Sequence, residues 1–559
     1  MYVKVTKSAG HAYIQLAESF RDDSGRPRQR VVSTLGRADE TGGQVDAILN
    51  ALLRAKGRTA EEPQIEFESA LSLGHVWALH RLWESLGFGE LARIFRKARY
   101  TTAVEHAIRV MVFNRLCDPD SKLGVLRWLE TVSIPNVDTA SLTHQQLLRS
   151  MDALMDHHQA VDAVVAQQLR PMVDQDLSVV FYDLTSIRVE GLSELSDDVR
   201  HYGMSKEGVI ARQWMLGVVQ TAEGLPIYHE VFDGHQAEAP TLLPTLTKVL
   251  QRFPHIRRLI IVADRGLLSL DNIQALQAIE LGEGRALEFI LTVPARRYGE
   301  FVAILERFQA KVTDHEQETI DETRWQQLRL VIAHHPLRAK EQTAWRQAQI
   351  NDLEDKAARW AGKLDSQDGG AKHRGRKLSD SGAKARFYHE VKEAHLAKII
   401  KVDLQSDLFT YNIDEQALRQ AQLLDGKLLL VTNVTALNPQ AIVQRYKSLA
   451  DIERGFRVLK SEIELAPVYH RLPQRIRAHA MICFMALILY RVMRQRLKIA
   501  QSNLSPERAL AQLKRIHRHR IKVNDRALHG VSTLTKDQTD LLGALTLQKP
   551  TKHEQLSLL

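Results

Sequence analysis

The chain has 559 residues, 44% of them hydrophobic and 26% charged, which suits two to four folded domains and excludes a disordered or low-complexity chain. A net charge of +9 favours a polyanionic partner, because clustered Lys and Arg displace the counterions of phosphates. The only cysteines, Cys117 and Cys483, stand far apart, which excludes a disulfide framework and suits a reducing cytosol.

In chain order, residues 1–40 read as a small β unit. YVKVTKS and AYIQLAESF are strand-like, and the polar turn RDDSGRPRQR leads into VVSTLG. Arg26, Arg28 and Arg30 make that turn either a solvated hairpin or a phosphate-contacting arm. Residues 41–175 read as helical, with apolar residues three and four apart in VEHAIRVMVFNRLCDP and QQLLRSMDALMDHHQAVDAVVAQQL. This region either grips DNA or a second subunit, or is a packing domain.

The pattern changes near residue 177. LSVVFYD, ARQWMLGVVQT, LPIYHEVFDG, RRLIIVADRG and EFILTVP read as strands, with helices at PTLLPTLTKVLQRF and DNIQALQAIELG. Three strands in succession followed by strands alternating with helices indicate a mixed α/β sheet. Residues 340–398 are charged and helix-prone, broken by the basic, Gly-containing stretch SQDGGAKHRGRKLSDSGAK. IIKVDL, FTYNI and KLLLVTN read as strands, and helix returns from Asn438. The apolar run Ala480–Tyr490 is too short to span a bilayer and reads as a buried helix. No signal-peptide core opens MYVKVTKSAGH, so a cytoplasmic protein without membrane contact is expected. The last 60 residues look helical at first and basic around KRIHRHRIK.

Two Asp residues end buried strands: Asp183 in VVFYDLTS and Asp264 in LIIVADRG. A carboxylate at a sheet rim can hold a hard cation such as Mg²⁺, although Asp also starts turns and caps helices. In YKSLADIERGFRVLK, Tyr446, Leu449, Glu453, Phe456, Arg457 and Lys460 share one helical face. Glu453 and Arg457 are either a solvent-side i,i+4 ion pair or a metal ligand beside a phosphate contact. The His pairs His157-His158 and His334-His335 have no zinc-ligand spacing, and no Walker-type phosphate loop is present.

These residues resemble the DDE transposases of bacterial insertion sequences, the group marked by Y-x2-R-x3-E-x6-K. Tyr446, Glu453 and Lys460 match that spacing, and Leu449 occupies the Arg position, with Arg445, Arg454 and Arg457 nearby as substitutes. YDLTS, HYGMSKEG, EVFDGH and ADRGLLS also look like the family's catalytic core. The resemblance covers roughly residues 175–495, and the unit at 1–40 is similar to the N-terminus of some members. It implies an α/β fold: an RNase H-like mixed sheet with Asp183 on the first strand, Asp264 on the fourth and Glu453 on a later helix. An inserted subdomain is implied by the 189 residues from Asp264 to Glu453, far more than one crossover needs.

The expected order is a β unit at 1–40, a helical region at 41–175 and the first part of the core at 176–295. An insertion at 296–425, the rest of the core at 426–500 and a basic tail at 501–559 follow. The implied chemistry is cleavage of DNA at element ends and strand transfer into target DNA, with Asp183, Asp264 and Glu453 holding two Mg²⁺ ions, Mn²⁺ being a substitute. Tyr446, Arg457, Lys460, Arg265 and Arg454 are the expected DNA contacts, Arg265 alternatively pairing with the carboxylates. The expected partners are double-stranded DNA (terminal inverted repeats and target) and a second copy of the chain on that DNA. A related nuclease that cuts without joining and a non-enzymatic DNA-binding derivative are the alternatives.

Overall fold

The structure is a computed structural model. It describes all residues except 9, 40–43, 58–64, 174–179, 190–197, 205–209, 237–238, 257, 264–272, 275–276, 279–286, 313–315, 370–376, 449–456, 467, 524–525 and 551–559. For residues 180–183, 204, 239, 243, 263 and 526 it describes the backbone alone. In chain order the first strands are β1 (Tyr2–Ser8), β2 (His11–Arg21), β3 (Pro27–Arg37), β4 (Ile65–Ser72), β5 (Val180–Arg188), β6 (His201–Met204), β7 (Ile210–Thr221), β8 (Pro226–Asp233) and β9 (Ile260–Ala263). They are followed by β10 (Glu288–Thr292), β11 (Thr319–Trp325), β12 (Leu328–His334), β13 (Ile400–Val402), β14 (Tyr411–Ile413), β15 (Lys427–Thr432), β16 (His517–Val523) and β17 (Arg526–Val531).

Contacts divide the chain into two units, Met1–Ala70 with Arg518–Val531, and Leu71–His517 with Ser532–Leu559. In the first unit β1, β2 and β3 form an antiparallel sheet in that order. The turn after β2 is organised by Asp22, whose carboxylate accepts from the backbone of Ser24 and Arg26 at 3.1 and 3.0 Å and from Arg28 Nε at 3.2 Å. Those bonds hold the Asp22 carboxyl below the usual carboxylate range. Arg30 pairs with Glu18 on the neighbouring strand. Two of the three turn arginines are thus engaged inside the hairpin, which favours the plain hairpin reading over a phosphate-contacting arm. The helix Gln44–Ala55 follows, and a second sheet has the order β17-β16-β4.

The second unit is built on a nine-stranded sheet, β11-β12-β15-β10-β9-β5-β7-β6, with β8 also on β7. Its centre carries the topology that the resemblance implies. β5, β7 and β8 are antiparallel neighbours in succession, and β9 and β10 then lie parallel to β5 on its other side. In chain order these five strands stand 3-2-1-4-5, the RNase H-like arrangement within a mixed α/β fold. They read as near-continuous apolar runs because both faces are covered: Trp214, Leu216, Val218 and Val219 of β7 and Ile260, Ile261 and Val262 of β9 are all buried.

β6 and β8 share the far edge of β7, β6 opposite 210–213 and β8 opposite 214–220. Gln213 sits at their junction and donates to the Gly234 carbonyl at 2.9 Å. There is no room for a side chain there, since a Cβ on Gly234 would stand 1.8 Å from the Gln213 carbonyl oxygen.

The helix Pro473–Ile499 is the other organising element. Apart from His479 and Arg491 it is apolar on all sides from Ala478 to Met493, which is why it is buried against the helices Val104–Cys117 and His144–Asp156 and against β8. The helix is long and apolar enough to cross a membrane by composition, and 94% of its apolar window is buried inside the protein. The buried helix expected at 480–490 is therefore present.

Within 296–425, β11 and β12 join the large sheet next to β15. The 33-residue helix Pro336–Asp368 and the helix Asp380–Glu393 carry a separate apolar cluster of Ile350, Leu353, Phe387, Val391 and Ile400, among others. Asp425, buried, ties the base of the long helix to the start of β15 by pairing with Arg346 and accepting from Thr343 Oγ1 at 2.6 Å.

Two expectations are corrected. Residues 65–72, inside the stretch read as helical, form β4, whose partner is β16 from the other end of the chain. Residues 501–559 are not a basic tail where they are described. The helices Pro506–Leu513 and Lys536–Ala544 bury Leu510, Leu513, Leu541 and Leu542, and HRHRIKV is the strand β16. The tail reading weighed the charge of that stretch and overlooked its period-two alternation and the apolar stripe on each side.

Gly234→Ala is expected to destabilise the fold by about 1–3 kcal/mol through backbone overlap, read as a lower urea midpoint at unchanged slope.

Candidate active site

Asp183 lies on β5, its backbone paired with Val218 of β7. On its other side β5 runs parallel to β9, with Val180 opposite Ile261 and Phe181 opposite Val262. Asp264 is the next residue in the chain after Ala263, the end of β9, and lies outside the described residues. So do Arg265, Leu449, Glu453 and Arg454, and so does the side chain of Asp183. Past Asp183, β5 stays in the core: Leu184, Thr185 and Ile187 are buried, and Val189 bridges Val468 in parallel.

The chain returns to the sheet through β15, which is antiparallel to β10 and so delivers it to the edge where β10 begins. Asn433 fixes that point. Its Oδ1 accepts from the Phe289 backbone and its Nδ2 donates to the Leu287 carbonyl, both at 2.8 Å. The helix Pro439–Lys447 starts there, capped by Asn438, whose side chain accepts from Ala441 N at 2.8 Å, with Pro439 in the first turn.

This geometry places Arg445. Its guanidinium is held below its ordinary value by burial first and by the Arg258 charge second, with Glu223 and Glu288 acting the other way. Arg258 itself pairs with Glu288 at 2.5 and 3.1 Å. Glu288 opens β10, and Glu223 lies in the turn after β7, so Arg445 belongs to the edge where β9 and β10 start. The two Asp positions lie toward the other end of β9. Arg445 is therefore withdrawn as a substitute for the Arg that Leu449 replaces.

Of the expected DNA contacts, three are described. Tyr446 is half-buried next to Lys447, which pairs with Glu318 at 2.6 Å. Arg457 and Lys460 are exposed on one side of a helical turn, with Val458 and Leu459 buried on the other. Among the described residues no three His, Cys, Asp or Glu side chains gather as a metal site.

A cavity of about 770 Å³ lies beside β8 and is lined by Tyr228, Glu230, Lys248, Asp162 and Arg252 among others. Its charges are paired internally: Arg252 with Asp162 at 2.6 Å, and Glu230 with Lys248 and with the Tyr228 hydroxyl. Arg477 lines it as well. A second cavity is lined by Arg115, Lys122 and His470, all three buried or half-buried, and by the exposed Asp120 and Glu464 among others; no sequence motif marks it.

Glu288→Gln is expected to cost about 1–3 kcal/mol by leaving Arg258 and Arg445 facing each other. The loss should be smaller in an Arg445→Met background, and a double-mutant cycle by chemical denaturation checks the coupling.

Residues 3–64 match the N-terminal domain of IS1634 family transposases, and residues 174–489, more than half of the chain, match the transposase DDE domain. Among solved structures the chain is similar to a piggyBac transposase in a synaptic complex with hairpin DNA, at 10% identity over 74% of this chain and 71% of that one, with a TM-score of 0.38. No curated protein matches it. Matched at its N-terminal β unit and again across the sheet that carries Asp183, the chain belongs to the DDE transposases of insertion sequences.

Proposed function

We propose that this transposase cuts DNA at the ends of its element and joins the freed 3′ ends to target DNA, with Asp183, Asp264 and Glu453 as the ligands of two divalent metal ions. The observation that carries the reading is the parallel register of β5 on β9. Phe181 faces Val262, and each Asp stands two residues further along its own chain. Residues two apart on a strand share a face, so this register favours two carboxylates side by side at one edge.

The return path supports the third ligand. The helix from Pro439 starts at the opposite edge, where β10 begins. Its last residue, Lys447, pairs with Glu318 just before β11, whose first residue is level with the start of β15, at the edge toward which the two Asp positions lie.

The donor set fits the metal. Carboxylate oxygens are hard ligands that suit Mg²⁺ or Mn²⁺, which in a two-ion site activate the attacking oxygen and stabilise the leaving one. Asp183, central on β5, would serve both ions, with Asp264 and Glu453 flanking them. Buried neighbours on β5 and β9 favour fixed backbone positions for the two Asp residues. Arg457 and Lys460, exposed on the helical turn after Glu453, hold the phosphates of the strand, joined by Arg265, Arg454 and Tyr446. Water attacks in the first step, and the 3′-OH it frees takes the same position in the second, so one set of side chains serves cutting and joining. Two ends must be held together for joining, which calls for two copies of the chain on DNA, acting in the cytoplasm at the nucleoid.

Asp183→Asn is expected to reduce cleavage of a duplex carrying the element end by at least about 10²-fold, the scale of losing one preorganised electrostatic stabiliser, while DNA affinity survives. Undiminished cleavage would sink the assignment. With pre-cut ends, wild type should form the strand-transfer product, and its absence would leave a nuclease only.

A further inference from the structure

A cavity of about 570 Å³ opens between the start of the helix Lys122–Leu129 and the segment from Glu464 to His479. Its lining includes Val468, the residue that bridges Val189 just past the end of β5. The strand that carries Asp183 therefore leads directly to this cavity. From Asp183 to Val189 is six residues, roughly 20 Å of strand.

Its deep charges are cationic: Arg115 and Lys122 are buried, whereas the carboxylate residues of its lining, Asp120 and Glu464, are exposed. Lys122 is only 6% exposed, and no carboxylate is among the groups that act on it. Burial and the Arg115 charge push its ammonium down to about 7. It also stands in the first turn of its helix, where the dipole end is positive. Arg115, buried beside it, donates only to oxygens without full charge: the carbonyls of Glu464 and Asp120 and the Asn114 side chain. Its Nε has no partner.

Of the remaining groups, Asp120 is engaged by Arg127 and by the Ser121 backbone, and neither Asp120 nor Glu464 is among the groups that act on Lys122. His470 and His479 are held neutral by burial and by Lys122 and Arg115, His470 down to about 3. Arg475 and Asp152 neutralise each other at 2.8 Å. A buried cation without an anion is costly unless a ligand supplies the charge. At the mouth, Tyr469 is 70% exposed, an aromatic face with no structural reason to be outside.

We propose that this cavity binds one phosphate of the DNA backbone through Lys122 and Arg115, with the Tyr469 ring against the adjoining base. The proposal rests on the reading of the chain as a DNA-cutting transposase and adds a grip on the strand outside the cleavage centre. An ammonium and a guanidinium in a recess fit a phosphate, and an exposed ring at the rim fits an unstacked or terminal base.

The test is binding of the full chain to a labelled duplex of the element end across a salt series, for wild type, Lys122→Met, Lys122→Arg and Tyr469→Ala. Lys122→Met is expected to weaken binding at least about tenfold and to flatten the plot of log affinity against log salt by about 0.9, the release from one phosphate. Lys122→Arg should keep the slope. Tyr469→Ala, at an exposed site that does not endanger folding, should weaken binding at least about fivefold without changing the slope. The melting midpoint of Lys122→Met should be no lower than wild type, because an unpaired buried cation has been removed.

Wild-type affinity and slope in Lys122→Met, or wild-type affinity in Tyr469→Ala, would overturn the proposal. Inorganic phosphate is the second probe. If it raises the melting midpoint of wild type and not of Lys122→Met while both bind DNA alike, the cavity takes free phosphate and the DNA assignment fails. Asp183→Asn run in parallel separates the two claims: normal cleavage by that variant defeats the carboxylate assignment, whereas the salt slope tests the cavity alone.

Discussion

The parallel pairing of β5 with β9 is the constraint on which the rest of the catalytic unit depends. Parallel neighbours cannot be joined by a tight turn, so the chain must leave the sheet edge and come back. It does so through β7, β8 and the helix Ala239–Arg252. β7 and β8 continue the sheet on the far side of β5, and the helix covers the route back to β9. Burial on both faces then fixes the register, since a shift by one residue would turn every apolar side chain of these strands to the wrong face. A carboxylate on such a strand inherits a position defined by the whole core.

The second half of the unit works against the first in direction. β15 is antiparallel to β10 and brings the chain down to the edge away from the Asp positions. Asn433 there replaces a strand pair with two side-chain hydrogen bonds, and Asn438 starts a helix directed back along the sheet. The long excursion between β10 and β15 is compatible with this because it is anchored at its base: β11 and β12 extend the sheet, and Asp425 joins Arg346 and Thr343 where the excursion closes. The helix Pro473–Ile499 then packs the helical layer against β8, so the sheet edge and the Lys122 cavity share one rigid neighbour.

The strands that carry the topology were legible in the sequence because each is a short apolar run ended by a charge or a turn, as in VVFYD and LIIVAD. β11 was not, because TIDETRW is a charged edge strand with no buried face to mark it. β16 was missed for the same reason: HRHRIKV looks like a basic tail until its partners β4 and β17 are known. Of the site, the strand position of Asp183 follows from pattern alone, and the exposed face shared by Arg457 and Lys460 follows from helical spacing. Arg445 misled because helical proximity to Tyr446 says nothing about which sheet edge the helix has reached. The cation pair Arg115 and Lys122 was invisible, since Lys after a capping Ser121 looks like any helix start and only tertiary packing removes its solvent.

The central claim is that Asp183, Asp264 and Glu453 surround the same metal ions. Iron-directed backbone scission of the full chain, with Fe²⁺ replacing Mg²⁺ in the presence of ascorbate and peroxide, tests it most directly. The account predicts breaks clustered near residues 183, 264 and 453 and suppressed together by excess Mg²⁺. Breaks that miss one of these three segments, or that Mg²⁺ does not suppress, would contradict it.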